Sequence, residues 1–206
     1  MSVFITYIAK QFGKPTGIGG ELSTFIMNCM NRKQYRTTIE HLKITAADIV
    51  LDIGFGNGFL IKNLAKRNLS KLYGIEISSD MLTKASKSNQ RYINSGKVEL
   101  LLADVQNLPF EDSSINKIYT INTIYFWNSI PAGLAEIKRV LKPDGIFINT
   151  IYDKEWLDRL TYTQYGFTKK TTAQLKELTE QSGFKITETI EIEKNKSACI
   201  IASKVN

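Results

Sequence analysis

The sequence predicts one α/β domain in which a mostly parallel β-sheet is covered by helices on both faces, a three-layer sandwich. Three observations lead to this prediction. Between residues 49 and 151, short apolar runs alternate with segments of helical periodicity. The 206 residues, of which 43% are hydrophobic, suffice for one domain with a full core. Two β-rich segments close the chain with little sequence between them, so we expect an antiparallel pair at one edge of the sheet.

Each element follows from a local signal. The predicted strands span 49–53, 71–77, 97–102, 115–122, 145–151, 184–193 and 197–203. The predicted helices span 21–42, 57–68, 79–94, 131–141 and 171–181. Ser79 is expected to cap the third helix, and Pro131 suits the first turn of the fourth. A proline-containing turn closed by Gly145 is expected at 142–145, and Gly183 is expected to stop the last helix.

The net charge of +7 raises the question of a nucleic-acid partner. The Lys and Arg residues are scattered along the chain in ones and twos, and the sequence contains no RNA-binding motif. This scatter favours a solvated basic surface over a nucleic-acid interface.

Several features bear on the compartment. No apolar run approaches the roughly 20 residues that cross a bilayer, and the first residues, MSVFITYIAK, lack the features of a signal peptide. Cys29 and Cys199 lie far apart and without metal-ligand spacing, so we expect neither a metal site nor a disulfide. The sequence therefore predicts a cytoplasmic protein without a membrane span, and it does not indicate an oligomeric state.

A glycine-rich turn follows the first predicted strand, in the stretch IVLDIGFGNGFL. Gly54, Gly56 and Gly58 permit positive φ angles and let a ligand approach the backbone, as in many nucleotide sites. The dinucleotide fingerprint is G-x-G-x-x-G, whereas the spacing here is one residue shorter. Asp52, just before the turn, would repel a pyrophosphate but suit an ammonium group. A cofactor with an amino group, a carboxylate and a ribose meets these demands, which indicates S-adenosylmethionine.

Acidic residues also end the next two predicted strands. Glu76 is placed to accept two hydrogen bonds from a ribose diol, and Ile77 to lie against an adenine face. Asp104 is placed to accept from the adenine amino group, while the Val105 amide donates to a ring nitrogen. Because parallel strands end at the same edge of a sheet, we expect Asp52, Glu76 and Asp104 to lie along one edge.

Five segments in this order resemble the class I S-adenosylmethionine-dependent methyltransferases, and most of all their small-molecule branch, which includes quinone and sterol methylating enzymes. The segments are VLDIGFGNG at 50–58, Glu76, ADVQNLPF at 103–110, INKIYTINTIYFW at 115–127 and LKPDGIF at 141–147. The family turn is usually L-K-P-G-G; Asp144 replaces one glycine at a turn position that accepts Asp.

The resemblance implies a Rossmann-like, seven-stranded sheet whose last strand is antiparallel. It also implies a single domain over residues 1–206, with an N-terminal lid and helix (1–45), a cofactor-binding core (46–151), and an acceptor-side segment with a C-terminal hairpin (152–206). The methyl donor would be S-adenosylmethionine, the product S-adenosylhomocysteine, and the acceptor a small molecule. The expected cofactor contacts are Asp52, Gly54, Phe55, Gly56, Asn57, Gly58, Glu76, Ile77, Asp104, Val105 and Asn122.

The acceptor site is less well defined by the sequence. The aromatic cluster 125–127 suits an acceptor pocket as well as a packed loop, and further aromatic residues, Trp156, Tyr162 and Tyr165, follow the fifth strand. Asn122 and Tyr125 match the Asn-Pro-Pro-Tyr motif of amide and adenine amino methylation, but both prolines are missing. That departure disfavours such substrates.

No residue stands out as a catalytic base. The candidates are Tyr125, His41, Tyr152 and Tyr162. An RNA or protein methyltransferase, favoured by the net charge, and a non-catalytic module that binds the cofactor remain as alternatives. An NAD-dependent enzyme is disfavoured by Asp52 and the shortened glycine spacing.

Overall fold

The computed structural model describes residues 30–164 and 166–205. Within this part of the chain, seven strands form one sheet in the order β3-β2-β1-β4-β5-β7-β6. The strands are β1 (Ile49–Ile53), β2 (Lys71–Glu76), β3 (Val98–Leu102), β4 (Ile115–Ile121), β5 (Leu141–Tyr152), β6 (Phe184–Glu193) and β7 (Ser197–Lys204). Strands β1 to β5 are parallel, and β7 lies antiparallel between β5 and β6. The seven-stranded fold and its antiparallel last strand are thereby confirmed.

Helices cover both faces of the sheet. They are α1 (Arg32–Leu42), α2 (Phe59–Leu64), α3 (Ser79–Asn94), α4 (Ile130–Val140), α5 (Lys154–Leu157) and α6 (Thr172–Gln181). Two 3₁₀ turns lie at Ile124–Phe126 and Thr161–Gln164. The turns and α5 are too short to produce a periodic signal in the sequence. The proposed lid, the start of the first predicted helix, Cys29 and Tyr165 lie outside the described residues.

The predicted turn at 142–145 is wrong as a separate element, because β5 already begins at Leu141. Ile115 pairs with Leu141 and Lys117 pairs with Ile146, so five steps on β5 match two on β4. The Pro-Asp-Gly segment is therefore an irregularity within β5. The strand pairs with β4 both before this segment, at Leu141, and after it, at Ile146. An added Cβ on Gly145 would come within 2.6 Å of the Leu141 side chain, which explains the glycine.

Two helix starts also differ from prediction. The cap of α3 is Ser78, whose hydroxyl accepts a hydrogen bond from the Met81 amide, rather than Ser79. Helix α2 begins at Phe59 instead of residue 57, because Gly58 adopts a left-handed conformation with φ of 76°. Periodicity alone does not register such backbone constraints.

The sheet divides the core into two apolar layers. One layer packs α4 and α6 against the sheet, through residues such as Leu134, Ile137 and Leu175, and the other packs α1, α2 and α3, through residues such as Leu42, Ile61 and Ala85. The strand order reverses between β1 and β4, so the carboxyl ends of these strands and of β2 border an open crevice. No helix within 30–164 and 166–205 is long and apolar enough to cross a membrane.

Candidate active site

A cavity of about 1070 Å³, counting the space open to solvent, lies at the carboxyl ends of β1, β2, β3 and β4. We call it the main cavity. Nine of the eleven expected cofactor contacts line it: Gly54, Phe55, Gly56, Asn57, Glu76, Ile77, Asp104, Val105 and Asn122. Asp52 and Gly58 are the two that do not. The shared strand-end geometry brings together residues that lie up to 68 positions apart, from Gly54 to Asn122.

Glu76 is held at the wall of the main cavity by the backbone. Its side chain is largely buried, and three backbone amides donate to it. The Gly56 amide donates to Oε2 at 3.0 Å, and the Ile77 and Ser78 amides donate to Oε1 at 2.8 and 3.0 Å. These bonds fix the carboxylate at the cavity wall and tie it to the glycine turn.

The three glycines of the turn have different roles. A Cβ added to Gly54 would overlap the Thr123 methyl group, so this glycine admits a close approach between β1 and the end of β4. A Cβ on Gly58 would lie 2.7 Å from both Ala85 and Asn89, so Gly58 allows α2 to pack on α3. A Cβ on Gly56 would meet no atom within 4 Å, although its φ is 55°. Gly56 is therefore the member of the turn that faces open space.

Comparing Gly56→Ala with a control glycine should separate an effect on ligand affinity from an effect of backbone strain on stability. The methyl group would occupy the main cavity beside Glu76, and we expect at least about a tenfold loss of affinity for S-adenosylhomocysteine. Gly96→Ala is the matched control, since Gly96 also has positive φ and open space around it but lies outside the cavity. Both substitutions should lower the melting temperature by about 2–6 °C. Equal affinity in the two variants, measured by calorimetry, would show that Gly56 does not border the ligand.

Asp52 lies beneath the main cavity and is almost fully buried, at 3% exposure. The Tyr119 hydroxyl donates to its Oδ2 at 2.6 Å. Burial raises the pKa of Asp52 to about 7; the hydrogen bond from Tyr119 lowers it, and the charge of Glu76 raises it further. Asp52 borders a side cavity of about 310 Å³, counting the space open to solvent, which shares Tyr35, Gly54, Phe55, Asn57 and Ile121 with the main cavity.

Asp104 and Ile77 also line the main cavity. The Gln106 amide donates to Asp104 Oδ1 at 2.9 Å, which sets the carboxylate at the end of β3. Ile77 is 53% exposed, which is unusual for a large aliphatic side chain. A flat apolar ligand group could cover it.

A third cavity, of about 460 Å³, adjoins the main cavity. We call it the aromatic cavity. Mostly apolar and aromatic side chains line it: Met30, Asn31, Asn122, Tyr125, Phe126, Tyr152, Leu157, Leu160, Tyr162, Thr163 and Phe167. Asn31, Asn122 and Phe126 also line the main cavity and so mark the junction between the two. Phe126 packs edge-on against Phe167, with ring centroids 4.6 Å apart.

Three of the four candidate bases are tyrosines at the aromatic cavity. The Tyr125 hydroxyl donates to the Tyr152 carbonyl at 2.9 Å and accepts from the Tyr152 amide at 2.5 Å. The Tyr152 hydroxyl donates to Asn31 Oδ1 at 2.9 Å. Burial raises the pKa of Tyr125, Tyr152 and Tyr162, which keeps these phenols neutral near pH 7.

His41 lies near the end of α1. Its Nδ1 is 2.9 Å from the Thr37 carbonyl oxygen, and it is not among the residues that line the three cavities.

Helix α1 and its N-cap residue, Asn31, supply side chains that the sequence did not indicate. Asn31 and Tyr35 line the main cavity, and Gln34 and Thr38 are buried against the sheet. Their spacing of three and four residues forms one polar helix face that is turned inward. Apolar periodicity, the signal used to find the helix, does not register such a face.

The chain matches known proteins along most of the core. The family described as "Methyltransferase domain" matches residues 51–149. The uncharacterized methyltransferase YdaC of Bacillus subtilis is 30% identical over 135 residues, which cover 65% of this chain and 72% of that protein. The mitochondrial arginine-hydroxylase NDUFAF5 of Mus musculus is 26% identical over 136 residues, 66% of this chain but 35% of that protein.

The fold has solved counterparts. A SAM-dependent methyltransferase from Aquifex aeolicus superposes with a TM-score of 0.70 at 21% identity, covering 83% of this chain and 89% of that one. At this identity the likeness concerns the arrangement of helices and strands.

Proposed function

The chain belongs to the class I S-adenosylmethionine-dependent methyltransferases, and from this premise we propose that it transfers the methyl group to a small-molecule acceptor held in the aromatic cavity. The observation that carries the proposal is the junction of the two cavities. The main cavity suits the cofactor, and the aromatic cavity shares Asn31, Asn122 and Phe126 with it. A methyl group presented at this junction would meet an acceptor on the other side.

The chemistry of the walls of the main cavity suits S-adenosylmethionine, because apolar side chains alternate there with a few acidic and amide groups. We assign Glu76 to the ribose hydroxyls, and Ile77, Asp104 and Val105 to the adenine. The glycine turn and the side cavity would hold the methionine end, with the Asp52 carboxylate facing the ammonium group. The raised pKa of Asp52 supports this assignment, because burial disfavours the charged form of the carboxyl group and an ammonium partner would offset that cost.

When bound, S-adenosylmethionine supplies an electrophilic methyl group on a sulfonium. The protein's own residues have two tasks, to hold donor and acceptor in line and to keep water out. The rings of Phe126 and Trp127 line the main cavity close to the junction, where aromatic faces favour a positive charge.

The walls of the aromatic cavity favour an acceptor with an apolar or ring-shaped body. Several polar groups on these walls are already engaged within the protein. The Tyr125 hydroxyl bonds to the backbone of residue 152, the Tyr152 hydroxyl to Asn31, and the Thr163 hydroxyl to the carbonyls of residues 157 and 160. An apolar body would leave these bonds intact, and a wall of mainly apolar and aromatic side chains is typical of small-molecule sites.

Leu160→Trp is expected to fill the aromatic cavity and block the acceptor. Incubated with methyl-labelled S-adenosylmethionine and fractionated cell extract, the wild-type protein should label small molecules, and the variant should label at least about tenfold less. Its affinity for S-adenosylhomocysteine should stay within about twofold of wild type, because Leu160 does not line the main cavity. Leu102→Trp, at an exposed position, is the matched control and should label normally.

The same experiment tests the alternatives. Label in the RNA or protein fraction would favour the macromolecular acceptor that the net charge of +7 suggests, and RNA binding should then weaken steeply with salt. Cofactor binding without label in any fraction would favour a non-catalytic module. Equal labelling by Leu160→Trp and wild type would reject the aromatic cavity as the acceptor site.

A further inference from the structure

We infer that Gln34 is a positioning residue for the main cavity. By pairing with Asn122, it fixes the backbone bend after β4 that packs against the glycine turn. The inference rests on the proposed function only in taking the main cavity as the cofactor site. Gln34 is not among the residues that line the cavities, so it would act through Asn122.

The two side-chain amides form a reciprocal pair between α1 and the end of β4. Asn122 Nδ2 donates to Gln34 Oε1 at 2.6 Å, and Gln34 Nε2 donates to Asn122 Oδ1 at 3.4 Å. Gln34 is 1% exposed and Asn122 is 9% exposed. A buried amide that loses its partner bears the cost of desolvation, so the pair holds both side chains in place.

The orientation of the Asn122 amide is set by its other neighbours. Its Oδ1 also accepts from the Tyr152 backbone amide at 3.1 Å and lies 3.2 Å from the Tyr125 hydroxyl. A backbone N–H can only donate, so the amide oxygen must face residue 152. The Nδ2 group then points to Gln34, which supplies the acceptor that it needs.

The backbone conformation of Asn122 links the amide pair to the glycine turn. Asn122 has a φ of 58°, a left-handed conformation that asparagine tolerates better than most residues. This bend sets Thr123 against Gly54, where any Cβ would overlap the Thr123 methyl. The Thr123 hydroxyl also accepts from Trp127 Nε1 at 3.2 Å. A chain of contacts thus leads from Gln34 to two walls of the main cavity.

Thr38 provides a matched control on the same helix face, one turn after Gln34. It is fully buried, and its hydroxyl bonds to that of Thr150 at 2.7 Å, which ties α1 to β5. Neither Thr38 nor Thr150 lines a described cavity. Thr38→Val therefore weakens the attachment of α1 without removing a side-chain partner of Asn122. The Thr150 carbonyl, which accepts from the Asn122 backbone amide at 2.9 Å, is left in place.

The test compares Gln34→Met with Thr38→Val by calorimetry with S-adenosylhomocysteine and by melting temperature without ligand. Both variants should melt a few degrees below wild type. The dissociation constant should rise about five- to tenfold in Gln34→Met and less than about twofold in Thr38→Val. Equal affinities in the two variants would overturn the inference. A wild-type protein that fails to bind S-adenosylhomocysteine would instead reject the proposed cofactor site.

Gln34→Glu serves as a second variant if Gln34→Met does not fold. The carboxylate keeps an acceptor for Asn122 Nδ2 but turns the contact with Asn122 Oδ1 into a repulsion. We again expect a larger loss of affinity than in Thr38→Val, and an equal loss in the two would count against the inference.

Discussion

Glu76→Gln is expected to raise the dissociation constant for S-adenosylhomocysteine about a hundredfold. A hydrogen bond to a charged group contributes about 1.5–3 kcal/mol, and we assign two such bonds from the ribose to this carboxylate. The substitution also turns an amide NH₂ group toward backbone N–H groups, since Gly56, Ile77 and Ser78 all donate to Glu76. Titration calorimetry with purified protein gives the measurement.

Glu99→Gln is the control for this prediction. Glu99 lies on β3, pairs with Lys71 at 3.0 Å and has a side chain that is 48% exposed. An exposed ion pair of this kind contributes little, so its removal should leave ligand affinity unchanged. If Glu76→Gln binds as tightly as Glu99→Gln, the ribose assignment is wrong.

Asp52→Asn is expected to stabilise the ligand-free protein while weakening its affinity for S-adenosylmethionine. The pKa of Asp52 is raised by burial from 3.8 to about 7, so the folded state binds this proton more tightly than the unfolded state. The contribution of this bound proton to the free energy of unfolding is fully present below pH 3.8 and is lost as the pH rises through about 7. Above pH 7, the buried charge therefore costs about 4 kcal/mol. Asparagine removes that cost and still accepts from Tyr119.

Urea unfolding across pH tests the stability half of this prediction. The gain from Asp52→Asn should grow between about pH 4 and pH 7 and stay constant above pH 7. A gain that does not vary with pH would show that the carboxylate is not responsible.

Ligand binding should show the opposite dependence. Asp52 must lose its proton to face an ammonium group, so the affinity of the wild-type protein for S-adenosylmethionine should fall about tenfold per pH unit below about pH 7. The other titratable groups that act on Asp52 are Glu76 and the phenols of Tyr119 and Tyr35. Burial raises the pKa of both phenols, that of Tyr35 to about 12, so neither titrates in this range. The dependence should vanish in Asp52→Asn; its persistence there would point to another group.

The sequence predicted most of the sheet because each buried strand reads as an apolar run. Strand β1 matches its predicted bounds, 49–53, at both ends. The errors arose where backbone geometry or pairing overrides local chemistry. The Pro-Asp-Gly segment within 142–145 lies inside β5, because the residues before and after it both pair with β4. Helix α2 begins later than predicted because Gly58 is left-handed.

The main cavity was largely predictable for a topological reason. The carboxyl ends of parallel strands meet at one edge, so residues that follow β1, β2 and β3 had to come together. The contribution of α1 and its N-cap was not predictable, because it depends on packing between distant parts of the chain. Asn31 and Tyr35 line the main cavity, and Gln34 reaches Asn122. Gly58 was expected to contact the cofactor because it belongs to the glycine pattern. It does not line the main cavity and instead allows α2 to pack on α3.

A crystal structure with bound S-adenosylhomocysteine tests the central claim most directly. We expect the ribose hydroxyls on the Glu76 carboxylate, the adenine against Ile77 and the amino group toward Asp52. The sulfur should face the junction of Asn31, Asn122 and Phe126, with the aromatic cavity open beyond it. A sulfur that points away from this junction, or a ligand bound outside the main cavity, would contradict the account.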